Sequence, residues 1–429
     1  MREMKGSGIE WIGQIPKGWE LRRAKTLFTQ RNSKGNGIEV LLSPTQKYGV
    51  VPQSQLEGVV QVKEDTDLQM FKTVHKGDFV ISLRSFQGGF EYSLYEGVCS
   101  PAYQVFYPTS PICDTYYRYL FKSQSFISKM NNLTVGIREG KNIQYVDFAN
   151  SQIPVPPLAE QERIAAFLDA ECAEIDAVLE KTRASIEEYK KLKQAVITQA
   201  VTKGIRGDRP MTDSGIEWIG DIPGSWEVSS VRYIGQLQNG ISKGGEFFGK
   251  GFPFVSYGDV YKNYELPHSV SGLIDTTEDE RATYSVEYGD IFFTRTSETI
   301  EEVGFSCVCK RSIPNATFAG FIIRLRPFCA DEKILIDYAK YYFRGEHIRA
   351  YLVKEMNLVT RASLGQTLLK GMSVIVPPKS AQKEIAEYLD DKCADIDALV
   401  AKKQQYLTEI ENYKKSLIYE YVTGKKEVV

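Results

Sequence analysis

Cationic, hydrogen-bonding and aromatic side chains recur at matched places in the two halves of this chain. Gly77-Asp78-Phe79-Val80-Ile81-Ser82 is followed by Arg84, Ser85 and Gln87, and Gly289-Asp290-Ile291-Phe292-Phe293-Thr294 by Arg295, Thr296 and Ser297. Arg138, Lys141 and Asn142 answer Arg361, Ser363 and Gln366, each group just ahead of a long helical pattern. Lys47 with Tyr48, and Lys243 with Tyr257, complete the two sets. Arg, Asn, Gln, Ser and Thr hydrogen-bond base edges in the DNA major groove, while Lys and Arg neutralise phosphates. For any one of these residues, solvated loop polarity accounts for the type equally well.

Residue patterns for covalent chemistry are missing. The chain has no G-x-x-x-x-G-K-[ST] phosphate loop, no G-x-G-x-x-G after a strand and no serine nucleophile elbow. Val155-Pro156-Pro157-Leu158 lacks the asparagine and aromatic of an amino-methyltransferase motif. His75, His268 and His347 are too few and too scattered for a histidine-built metal site, and each reads as a surface or hydrogen-bonding residue. The seven cysteines are odd in number, and Cys307-Val308-Cys309 is too tight for a zinc knuckle, which points to free thiols in a reducing compartment. No apolar run is long enough for a membrane span and the first residues carry no signal-peptide core, so a cytoplasmic location is expected. The net charge of −2 does not announce a polyanion partner, although the long helices are acidic and the remainder is mildly basic.

The elements that must position these loops come as a repeat. Pro156-Pro157 through Thr202 aligns without a gap on Pro377-Pro378 through Thr423, and a glycine closes each copy at Gly204 and Gly424. Each copy carries an apolar heptad: Leu168, Cys172, Ile175, Leu179, Ile186, Tyr189 and Val196 in the first, and Leu389, Cys393, Ile396, Val400, Leu407, Ile410 and Leu417 in the second. A diproline suits the helix start and a glycine the stop. An amphipathic helix packed on its own domain is the alternative, but a period near 3.5 over about forty residues favours a helix pair. Thr182, Lys403, Lys193 and Lys414 interrupt the seam and are expected to fix its register at some cost in stability.

A second repeat opens each half: Ser7-Gly8-Ile9-Glu10-Trp11-Ile12-Gly13 to Trp19 recurs as Ser214-Gly215-Ile216-Glu217-Trp218-Ile219-Gly220 to Trp226. It reads as a clasp that packs the start of each domain against its neighbour. The globular segments read as mixed α/β. In the first, strands are expected near 38–42, 58–62, 77–82 and 103–106, with a helix over 116–130. In the second, strands are expected near 254–255, 289–294 and 317–325, with a helix over 335–353. A helix of forty residues is about 60 Å long. One small domain cannot bridge that length, so the two helices should run antiparallel, with the domains related by a pseudo-two-fold axis. The expected class is α+β or mixed: recognition domains over 1–155 and 205–376, separated by an antiparallel two-helix coiled coil from 156–204 and 377–429.

With these residues in view, the chain resembles the specificity subunit (HsdS) of Type I restriction-modification systems over essentially its full length. The Pro-Pro-Leu-Ala-Glu-Gln-Glu-Arg-Ile run at 156–164, its second copy at 377–385, the Ile-Pro-x-x-Trp starts at Ile15 and Ile222, and the Gly-Asp strands carry the likeness. The second copy keeps Gln382 but has Ser380-Ala381 where the first has Ala159-Glu160. The resemblance implies two target recognition domains, each reading one half of a bipartite site in double-stranded DNA, with the helices as spacer. It implies methyltransferase (M) partners, two in number, that hold S-adenosylmethionine. It implies motor-nuclease (R) partners that use ATP and Mg, and no cofactor or catalysis in this chain. A coiled-coil adaptor that binds no DNA is the competing class.

Overall fold

The computed structural model describes residues 2–35, 40–56, 68–133, 143–207, 209–297, 302–355 and 362–428. The chain forms two compact units, 1–183 with 405–429, and 184–404.

Each unit is built on a four-stranded antiparallel sheet. The first holds β1 (Phe28–Arg31), β2 (Phe79–Ile81), β3 (Glu91–Tyr92) and β4 (Gln104–Pro108) in the order β1-β4-β2-β3. The second holds β5 (Gly235–Asn239), β6 (Ile291–Thr294), β7 (Ser306–Val308) and β8 (Ile322–Pro327) in the order β5-β8-β6-β7. The topology is the same, and every pairing in both is antiparallel.

The Gly-Asp pair ahead of β2 and β6 has a structural cause. Gly77 and Gly289 sit at φ 93° and 90°, a region that favours glycine. The following aspartate closes the turn: Asp78 accepts the His75 N–H and Asp290 the Glu287 N–H, both at 2.8 Å. Each buried carboxylate is also gripped by an arginine fork, Arg31 at 2.7 and 3.0 Å and Arg326 at 2.6 Å.

Several element expectations need correction. The helix expected over 116–130 is two helices, Asp114–Lys122 and Gln124–Leu133, broken at Ser123, whose hydroxyl donates to Leu120 O at 2.7 Å. The helix over 335–353 is likewise Ile336–Tyr342 and Glu346–Glu355. The strand over 317–325 is Thr317–Phe318 and β8, parted by the turn at Gly320. Leu42–Thr45 pairs with Gly49–Pro52 as a hairpin, so the strand near 38–42 lies later than expected. The strand over 58–62 falls outside the described residues.

The two long helices span Leu158–Lys203 and Lys379–Val422. In the first unit, Asp176 meets Lys414 at 2.6 Å, Arg183 meets Glu411 at 2.8 Å, and the Phe167 ring lies 4.4 Å from that of Tyr421. In the second unit, Lys193 meets Asp397 at 2.7 Å and Arg206 meets Glu384 at 2.6 Å. Numbers rise on one helix as they fall on the other, so the pairing in each unit is antiparallel, as expected. Leu168, Cys172, Ile175, Leu179, Ile186, Leu389, Cys393, Ile396, Leu407 and Leu417 are buried. Tyr189, Val196, Val400 and Ile410 are half-buried.

Ile197 and Val201, which the heptad leaves out, are fully buried because the helix there also meets the core of the second unit. The seam lysines are not unpaired intruders. Lys193–Asp397 and Lys414–Asp176 are the same ion pair written twice by the repeat.

The joint between each domain and the helices repeats residue by residue. Tyr116 donates to Val422 O at 2.7 Å and Tyr338 to Val201 O at 3.0 Å. Gln161 donates to Pro156 O and accepts from Cys113 N, and Gln382 does the same with Pro377 O and Leu335 N. Asp169 takes Arg118 and Tyr119, and Asp390 takes Lys340 and Tyr341.

The tryptophan motif does act as a clasp, with Trp19 and Trp226 buried beside the helix ends. There the copies part. Trp19 Nε1 donates to Glu160 at 2.9 Å, and Arg2 pairs with the same carboxylate at 2.5 Å. Ala381 stands where Glu160 does, and Trp226 Nε1 is buried with no partner among the described residues.

His347 also departs from expectation. It is neither exposed nor hydrogen-bonded: both ring nitrogens are buried without partners, between Trp218 and Tyr342. Burial, and then the neighbouring Arg349 charge, push its pKa down to about 3.

Candidate nucleic-acid interface

In the first unit, Lys47, Tyr48, Arg84 and Gln87 line one open recess of about 650 Å³, with Glu91 and Tyr103. Lys47 and Tyr48 sit on the turn of the Leu42–Thr45 hairpin, where Tyr48 N donates to Thr45 Oγ1 at 3.0 Å. Gly49 at φ 73° lets the turn pass Tyr92 O, which a Cβ would meet at 2.7 Å. The Lys47 ammonium lies 4.9 Å from the centroid of the exposed Tyr48 ring, and its hydrogen bond to the Tyr48 side chain raises its pKa. Arg84 follows β2 and is exposed.

Ser85 is buried, and its hydroxyl accepts Ser82 N at 2.7 Å. It shapes the turn that presents Arg84 rather than facing solvent itself. Gln46 reaches Gln87 at 3.3 Å. Lys122 holds both Glu91 oxygens at 2.6 Å, while burial, the larger influence, pushes that carboxyl up to about 7. Arg138, Lys141 and Asn142 lie outside the described residues.

In the second unit, most of the candidates converge on one end of the sheet. Arg295 follows β6. Thr296 pairs with Ser363 and Ser297 with Ala362 in a short antiparallel ladder. Tyr257 stacks on Tyr261 with ring centroids 5.8 Å apart, and its hydroxyl is within hydrogen-bonding reach of Thr294 and Ser297. Burial raises the Tyr257 phenol. Gln366 donates to Asn239 Oδ1 at 2.9 Å, which ties this ladder to the end of β5. Arg361 lies outside the described residues.

Lys243 is committed elsewhere in its own domain. It donates to Glu280 at 2.7 Å and to Asp275 O at 2.8 Å, and that bond holds the Glu280 carboxyl below its usual range.

Loop composition did not reveal everything that is here. Glu302 accepts from Tyr261 at 2.9 Å and from Ser297 at 3.2 Å, so the surface carries a carboxylate acceptor as well as donors. Asn239-Gly240 at the strand end marks a turn at this edge, since such dipeptides favour turns.

Two copies of one sheet, each presenting an arginine past the same strand among different neighbours, define a duplicated binding scaffold. The relatives agree with that geometry. Residues 16–188 and 223–411 match the Type I restriction modification DNA specificity domain, and the chain belongs to that family. It is 25% identical to the type I restriction enzyme StySPI specificity subunit of Salmonella potsdam, covering 74% of this chain and 66% of that one. It is 24% identical to the provisionally named MjaX specificity subunit of Methanocaldococcus jannaschii, covering 97% and 96%. The chain thus spans about two thirds of the StySPI relative's length.

The fold is that of a chain solved in a study of the assembly and conformational transition of the type I R-M system, with TM-score 0.69, 16% identity and coverage of 96% and 99%. An HsdS subunit from Thermoanaerobacter tengcongensis also matches, at TM-score 0.50. Among the described residues no helix is long and apolar enough to cross a membrane.

Proposed function

We propose that this chain reads DNA sequence for a Type I restriction-modification complex, as a non-catalytic subunit working in the cytoplasm. Each recognition domain, 1–155 and 205–376, reads one half of an asymmetric bipartite site. The helices, 156–204 and 377–429, serve as spacer and as the dock for methyltransferase subunits, which bring S-adenosylmethionine. Motor-nuclease subunits supply ATP-driven cleavage. The supporting observation is the pairing of one topology with two different surfaces. Arg84 and Arg295 follow equivalent strands, yet the first stands over a recess with Lys47, Tyr48 and Gln87 and the second beside a Thr296–Ser363 ladder. Domains that read one half-site twice would not need to differ there.

The test is methylome sequencing of a host supplied with this chain and its methyltransferase partner, with and without Arg84→Ala and Arg295→Ala. One interrupted, asymmetric methylated motif is expected. Each arginine variant should relax one position, in opposite halves, at a cost of about 1–3 kcal/mol. The absence of any new motif, together with no salt-sensitive DNA binding by the complex, would leave the adaptor reading in its place.

A further inference from the structure

The sheet end that carries Arg295 also carries an aromatic ring with no role in the core. We propose that Phe321 is a base-reading residue of the second recognition surface, taking the 5-methyl group of a thymine in the major groove. The assignment rests on the DNA-reading role proposed above.

Phe321 stands on the turn between Thr317–Phe318 and β8. Thr294 pairs with Ile322, and the ladder continues one step: Arg295 N donates to Phe321 O at 2.8 Å. Arg295 O in turn accepts Leu364 N at 2.7 Å. Phe321, Arg295 and Leu364 therefore lie side by side on three neighbouring segments. The turn is held from its other flank by Gly320 N to Ile241 O at 2.8 Å and Gly240 N to Ile322 O at 3.1 Å.

On this fixed turn Phe321 is 62% exposed, while Phe318, Ile322 and Ile323 around it are completely buried. A lone exposed apolar residue is ordinary on a protein surface. This one is distinguished by its place beside Arg295 and by its counterpart. Ile81 pairs with Gln104 in the first unit as Phe293 pairs with Ile323 in the second, which puts Ala102 at the position of Phe321. Ala102 is exposed too, so the same tip carries a methyl in one copy and a ring in the other.

Thymine's 5-methyl is the one apolar group that the four bases offer in the major groove, and apolar side chains read it by contact. Neighbouring strands are about 4.8 Å apart and base pairs about 3.4 Å apart. The thymine should therefore be adjacent, or next but one, to the position read by Arg295.

The experiment uses the full complex with its methyltransferase partner. The methylome first gives both half-sites. Equilibrium binding is then measured on the motif duplex and on duplexes with each thymine replaced in turn by deoxyuridine, which lacks only the methyl. Wild type should lose about fourfold at one thymine, the value of one buried methyl. Phe321→Ala should bind the thymine duplex about fourfold more weakly and be indifferent to deoxyuridine at that position. Phe321→Leu, which keeps apolar contact, should retain part of the discrimination.

The assignment is overturned by a half-site with no thymine in either strand, by the absence of coupling at any thymine, or by equal weakening on all sequences. It is also overturned if Phe321→Ala loses the methyltransferase partner while the motif stays unchanged. If wild type yields no motif and the complex shows no salt-sensitive DNA binding, the DNA-reading role itself fails.

Discussion

Replacing Ala381 with glutamate should stabilise the second unit, and the repeat supplies the design. In the first unit Glu160, in the opening turn of its helix, accepts the Trp19 indole at 2.9 Å and pairs with Arg2 at 2.5 Å. In the second unit the helix has no acid in its first turn, and Trp226 Nε1 is buried without a partner. A cation stands at the matching place in the repeat: Arg209, like Arg2, lies two residues ahead of the first strand of its hairpin, and it is half-buried.

An orphaned buried donor costs about 1–3 kcal/mol. An acid at a helix N-terminus adds about 0.3–1 kcal/mol. Against these stands the ordering of a glutamate side chain, up to about 2 kcal/mol. The balance is a gain of roughly 1–2 kcal/mol for Ala381→Glu, or about 2–4 °C in Tm per kcal/mol for a unit of this size. Denaturant unfolding of the full chain, followed by a probe in the second unit, measures it. Trp226→Phe in the Ala381→Glu background should cancel most of the gain, because the donor is then gone. Glu160→Ala should cost about as much or more in the first unit, since it strands both Trp19 and Arg2. If Ala381→Glu is neutral and Glu160→Ala is neutral as well, the indole–carboxylate bond does not support the clasp and the reasoning fails.

Two further outcomes follow from buried and half-buried charge. His347 has a folded pKa of about 3 against an ordinary 6.5, so its neutral burial stabilises the fold fully above pH 6.5 and progressively less as pH falls toward 3. Roughly 2 kcal/mol of that should disappear between pH 7 and 5. His347→Leu should flatten the slope, and equal slopes in the two proteins would count against it. Replacing both Lys193 and Lys414 with leucine should raise stability by about 1 kcal/mol per site. Each lysine is largely covered while its aspartate is more than half exposed, and such pairs contribute only about 0.2–1 kcal/mol. A loss of stability in chemical unfolding would mean that the ion pairs outweigh apolar burial.

The long helices were legible in the sequence because heptad spacing is local and repeated, and Leu168 and Leu389 are fully buried as that spacing requires. The same spacing missed Ile197 and Val201, since a heptad counts one partner face and these residues meet a second one. Helix breaks at Ser123 and at Phe343-Arg344-Gly345 were hidden under continuous amphipathic patterns. Among the candidate site residues, Arg84, Lys47 and Tyr48 emerged on one recess because turn residues and strand ends reach the surface predictably. Ser85 and Lys243 did not behave as loop composition suggests. A hydroxyl can close its own turn, and a lysine can be claimed by an acid distant in sequence, as Lys243 is by Glu280. Phe321 was absorbed into an apolar run that reads as one strand until the turn at Gly320 is known.

Apart from the Trp19–Glu160 bond at the helix end, which the second copy lacks, what the repeat keeps and what it changes divide by location. At the joint with the helices, chemistry is kept even where identity is not: Arg118 becomes Lys340, and both still meet the aspartate at Asp169 or Asp390. Tyr116 and Tyr338 satisfy a helix-end carbonyl that would otherwise be buried and unpaired, a loss of about 1–3 kcal/mol, so substitution there is penalised in either copy. At the tip that carries Phe321 no such penalty operates. Arg295 and Phe321 are fixed through backbone N–H and C=O groups, which any side chain but proline would supply equally. A backbone-held tip lets the side chain change without disturbing the sheet. That is the physical condition for one scaffold to carry two surfaces, and it explains how Ala102 and Phe321 can occupy the same tip on the same topology.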